Sequence, residues 1–84
     1  MKRNKIAEIT AKFLFDYKML DGDINEAEVI EVINSYLDDV VFVETLINLI
    51  IKRANVRRDI DAVKLIDMLI ELERIRLELE YYAA

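Results

Sequence analysis

The chain contains no cysteine, histidine, proline or tryptophan, and a single glycine, Gly22. Without cysteine there is no disulfide framework and no thiolate zinc site, and without histidine the commonest general base is missing as well. Any acid–base chemistry would have to rest on carboxylates, lysine and tyrosine, and the acidic residues are spread along the chain rather than gathered as a recognisable pair. The expectation is a non-catalytic protein with no cofactor and no metal. Long hydrophobic runs are also lacking. The most apolar stretch, Val40 to Ile51, carries Glu44 and falls short of the roughly 20 residues that a membrane span needs. The opening M-K-R-N-K-I-A-E-I-T is basic like a signal peptide, but Glu8 and Lys12 interrupt the apolar region such a peptide requires. It reads as a first helix, and the expected location is cytoplasmic.

What is present is hydrophobic and acidic. At 84 residues the chain has room for one helical domain, 1–84. A domain of this size buries only roughly 60 to 65% of the surface its unfolded form exposes. Hydrophobic residues make up 55% of the chain, above the roughly 45–50% usual for soluble proteins, so apolar surface should remain after a small core is filled. That excess points to a homo-oligomer, a dimer in the first instance, or to a protein partner. The net charge of −5 opposes binding to polyanions and disfavours nucleic acid as a default ligand.

Apolar spacing of three and four residues predicts helices over about residues 3–20, 25–37, 40–54 and 61–82. In the first, Ile6, Ile9, Phe13, Tyr17 and Leu20 form the apolar face. Phe15 and Met19 lie on its otherwise polar side, as a second packing edge or a sticky patch, core packing being the better reading. The third begins with strand-like Val40-Val41-Phe42-Val43, but its unbroken length and the stacking of Glu44, Asn48 and Lys52 favour a helix. Its narrow polar stripe predicts a central position in the bundle or in an oligomer, and Asp38 or Asp39 is the expected N-cap.

The fourth helix should be the longest, on the order of 33 Å at 1.5 Å per residue. It carries two adjoining apolar stripes. One holds Val63, Ile66, Ile70 and Leu77; the other holds Leu65, Met68, Leu72, Ile75, Leu79 and Tyr82 in the alternating spacing of a coiled-coil seam. The seam either completes the core of a monomeric bundle or serves as a dimer or partner interface. The second reading is preferred, because two stripes exceed what three shorter neighbours can cover. On the remaining face Glu71, Glu73, Arg74, Arg76, Glu78 and Glu80 are spaced for helical ion pairs.

Asp23–Ile33 aligns without gaps with Asp59–Leu69, so Asp-Ile-Asn at 23–25 recurs as Asp-Ile-Asp at 59–61. Asn25 and Asp61 read as N-caps, each preceded by an isoleucine placed for a hydrophobic staple, and Glu28 completes a capping box in the first copy only. The chain therefore reads as two helical hairpins, an all-α four-helix bundle. Asp21, Asp23 and Asn25 stand at the first three ligand positions of an EF-hand loop, but Glu26, Glu28 and Val32 occupy its required glycine, aliphatic and glutamate positions, so a capped turn is the stronger reading. The Asp21-Gly22-Asp23-Ile24 turn resembles the D-G-x-I junction between helices of TerB-like domains; the resemblance implies a helix–turn–helix and no function. Gly22 is expected to take the left-handed conformation that closes the first helix.

Lys52, Arg53, Arg57 and Arg58 cluster between the third and fourth helices, as an anion patch or as complements to a helix C-terminus, and Lys2, Arg3 and Lys5 could extend them. The expected function is that of a small protein-interaction module, a regulator, adaptor or inhibitor such as a phage or mobile-element accessory protein, acting as a homodimer. The alternative is a nucleic-acid-associated factor using the cluster at 52–58.

Overall fold

Helices α1 (Arg3–Asp16), α2 (Glu26–Tyr36), α3 (Val40–Ala54) and α4 (Ala62–Ala83) follow one another in a computed structural model that describes residues 3–83, with side chains through Tyr81. The fold is all-α, with α4 the longest helix among the described residues. Helix α1 packs on α2 and α3 packs on α4, the two expected hairpins, and α1 joins α4 to hold them together. No helix among the described residues is long and apolar enough to cross a membrane.

Three helix starts are set by the side chains that the sequence marks. Asn25 accepts from the Glu28 N–H at 2.8 Å, Asp39 accepts from Val41 and Phe42 at 2.9 and 3.2 Å, and Asp61 accepts from Val63 and Lys64 at 2.9 and 3.3 Å. Each satisfies backbone donors that the first turn leaves without an intrahelical partner. The Glu28 carboxylate closes the box at Asn25 by accepting from the side-chain amide, at 3.0 Å, rather than from the backbone.

Helix α1 ends earlier than its periodicity suggests, at Asp16. Met19 N–H donates to Leu14 O at 2.8 Å and Lys18 N–H to Phe15 O at 3.1 Å, with Lys18 at φ 52°. That pair of bonds around a left-handed residue is a Schellman stop. Lys18 therefore closes the helix, and Gly22, at φ 96°, serves the loop that follows. The stop turns Met19 inward beside Leu14, both almost wholly buried.

The core draws on all four helices: Ile6, Phe13 and Leu14 from α1, Val29 and Ile33 from α2, Val43, Leu46, Ile47 and Ile50 from α3, and Met68, Leu72 and Ile75 from α4. Helix α3 is not central within the single-chain bundle. It packs chiefly on α4 and leaves Val41 and Ile51 exposed, because in so short a chain a single neighbouring helix cannot cover both of its sides.

Candidate functional site

The residues expected to form the α4 seam face inward. Met68, Leu72 and Ile75 are buried in the core, and Leu65 and Leu79 are half-buried against it; the side chain of Tyr82 lies outside the described residues. The seam is thus the contact of α4 with its own chain and is not an open interface. Both stripes exist, but the exposed one is the other: Val63, Ile66, Ile70 and Leu77 keep 68, 53, 49 and 54% of their surface. A helix can turn either stripe inward, and its rotation is decided by the fit against α1 and α3, which periodicity does not encode.

Phe15 and Met19 form a packing edge, the better reading of the sequence, and not an open patch. Met19 is buried by the Schellman stop and Phe15 packs half-buried against the core.

The basic cluster divides. Arg57 donates to Tyr17 O and, through Nε at 2.9 Å, to Asp59, with its guanidinium 5.8 Å from the centre of the Tyr17 ring. Arg53 donates to Met19 O and lies 3.5 Å from an Asp21 oxygen. Both guanidiniums thus neutralise carbonyls at the C-terminal end of α1, where a helix presents unsatisfied acceptors and partial negative charge. The Tyr17 hydroxyl completes the clasp by accepting from the Asp61 N–H at 3.1 Å. Only Lys52 and Arg58 stay exposed, so the four residues do not form an open anion patch. Arg3 and Lys5 are exposed, while Lys2 lies outside the described residues. The hydrogen bond from Arg57 holds the Asp59 carboxyl below its ordinary value, and Asp59 in turn raises Arg57.

Two of the three side chains at the loop positions have other partners: Asp21 faces Arg53 and Asn25 caps α2. Among the described residues no group of three or more carboxylates is placed to hold a metal ion. On the α3–α4 face, Arg76 binds Glu73 and Glu80 and stands 4.0 Å from Glu44. Glu73 is lowered by its hydrogen bond to Arg76, whereas Glu44 is raised, first by sharing a hydrogen bond with Glu80 and then by desolvation. This is a solvated charge network bracing two helices.

A groove of about 480 Å³ runs between α1 and α4, with walls from Ile6, Ile9, Phe13, Met68 and Ile70 and with Thr10 beneath it. The Thr10 hydroxyl is fully buried and has no hydrogen-bond partner. The periodicity of α1 gave no weight to this residue. The available signal was a hydroxyl set between Ala7, Ala11, Phe13 and Leu14 on one buried face.

No family model, curated protein or solved structure matches the chain. The resemblance of the Asp21–Ile24 turn to TerB-like domains therefore stays confined to that turn.

Proposed function

We propose that the protein is a small non-catalytic interaction module, a regulator, adaptor or inhibitor, that works as a homodimer joined along the exposed stripe of α4. The observation that carries this reading is the position of Val63, Ile66, Ile70 and Leu77, each about half exposed or more, on a helix whose opposite side already fills the core. Apolar residues gathered on one exposed helix face mark an association surface more often than an isolated exposed residue does.

A second copy can meet the stripe with its own Ile66 and Leu77 and with opposite flanking charge. Two α4 helices running antiparallel about an axis between Glu71 and Leu72 set Ile66 opposite the second copy's Leu77, and they do so twice by symmetry. The same register brings exposed Asp67 alongside the second copy's Arg74, again twice. Shifting by one heptad toward the N-terminus opposes Asp67 to itself, and shifting toward the C-terminus opposes Arg74 to itself, so charge selects one register. A standard interface takes about 800 Å² from each partner, a modest part of the 5923 Å² exposed here. Nucleic acid is the weaker reading, because Arg53 and Arg57 are engaged with α1 and the net charge is −5.

Size exclusion with light scattering tests the proposal. The wild-type chain should run as a dimer, and Ile66→Glu with Leu77→Glu should give a monomer of unchanged helicity. Asp67→Arg alone should weaken the dimer, and Asp67→Arg with Arg74→Asp should restore it. A wild-type chain that stays monomeric up to roughly millimolar concentration would sink the proposal.

A further inference from the structure

We infer that the α1–α4 groove binds a small neutral ligand with an apolar body and one hydrogen-bonding group, which pairs with Thr10. The groove's volume of about 480 Å³ lies within the roughly 300–1,000 Å³ of small-molecule sites. Its walls of Ile6, Ile9, Phe13, Met68 and Ile70 are of the apolar kind that takes most of a ligand's surface out of water.

Thr10 is the independent sign of a ligand. Its hydroxyl is 0% exposed and unpartnered, although a buried hydroxyl normally finds an acceptor or a donor. One ligand group supplies what the fold leaves unfilled. Thr10 lines the groove yet has no exposed surface, so reaching its hydroxyl requires a rotamer change in the lining. Met68, unbranched and flexible, is the side chain suited to give way.

Charge at the mouth argues for a neutral ligand. Lys12 pairs with Asp16 at 3.9 Å, Glu71 pairs with Arg74 at 3.7 Å, and Lys64 and Asp67 balance each other in sign. Neither an anionic nor a cationic head would find an excess of opposite charge there.

The test uses N-phenyl-1-naphthylamine, a neutral aromatic probe with a single N–H donor, followed by its fluorescence and by amide chemical-shift mapping. It is run on the wild-type chain and on the Ile66→Glu, Leu77→Glu double variant, both residues outside the groove lining, so that a monomeric chain separates ligand binding from dimer formation. The expected result is saturable one-site binding in the double variant, with shifts confined to Ile6–Tyr17 and Lys64–Glu71, and weaker binding in the wild-type dimer, whose interface shares Asp67 and Ile70 with the groove. Thr10→Val, which keeps the shape and removes the hydroxyl, should weaken binding about tenfold while raising the thermal midpoint. Ile9→Trp should block the groove mouth and abolish binding. The inference is overturned if binding is unsaturable, if the shifts map elsewhere, or if Thr10→Val raises stability and leaves the affinity unchanged, which would make Thr10 a plain unpaired core hydroxyl.

Discussion

Lys18 holds a backbone conformation that its side chain does not favour. At φ 52° its Cβ crowds the following carbonyl, a strain that glycine avoids. The strain persists because the two bonds of the Schellman stop and the burial of Met19 require a left-handed residue there. Lys18→Gly should therefore stabilise the protein by about 0.5–1 kcal/mol, the relief of strain exceeding the added flexibility of glycine in the unfolded chain. Urea denaturation of the two chains measures this directly, and an equal or lower midpoint for Lys18→Gly would contradict it. Gly22 differs: a Cβ there would touch nothing within 4 Å, and only its φ of 96° resists substitution.

At the scale of elements, α3 shows how one cap supports a helix. Its first residues, Val40 to Val43, favour a strand by their branching, so the start depends on the two backbone donors that Asp39 satisfies. Asp39→Ala should cost about 0.5–2 kcal/mol. Asp38→Ala, one residue earlier and outside the cap, should cost little. Thermal melts of the two variants followed by circular dichroism make the comparison, and equal losses would mean that Asp39 acts through general charge rather than through capping. At its other end α3 carries Arg53, whose bond to Met19 O ties the hairpins together. The same helix thus holds a local signal at its start and a long-range one at its end.

For the whole molecule, the charge networks predict the response to acid. Asp59 and Glu73 are held below their ordinary values of 3.8 and 4.5 by Arg57 and Arg76. Their contribution is present above those values and is lost as pH falls through the lowered folded values. Glu44 has the opposite sign. Raised above 4.5 in the fold, it penalises folding at higher pH, and the penalty is relieved as pH falls through its raised folded value toward 4.5. On acidification, stability from these three groups should first gain slightly and then decline. Glu44→Gln should remove the gain, and Asp59→Asn with Glu73→Gln should flatten the later loss. Chemical denaturation over a pH series reads both, and a double variant that keeps the full acid slope would assign it to other carboxylates. Because the pairs are exposed, salt should weaken all of these effects.

The helical class, the four segments, the greater length of α4 and the caps at Asn25 and Asp61 follow from the sequence alone, as does a cap at Asp38 or Asp39, between which the structure chose Asp39. Each rests on relations within a few residues, such as the spacing of apolar side chains and an oxygen placed before free N–H groups. Two apolar stripes on α4 were legible in the same way. Which of them faces inward was not, because a helix's rotation about its own axis is set by the summed fit of many distant side chains. The tertiary structure buried Met68, Leu72 and Ile75 and left Ile66, Ile70 and Leu77 outside, and so moved the candidate interface to the neighbouring face. It likewise turned Arg53 and Arg57 toward the carbonyls of Met19 and Tyr17 and aligned α1 and α4 around Thr10. Those partners lie far away in sequence, and only the packing of one hairpin on the other brings them within reach.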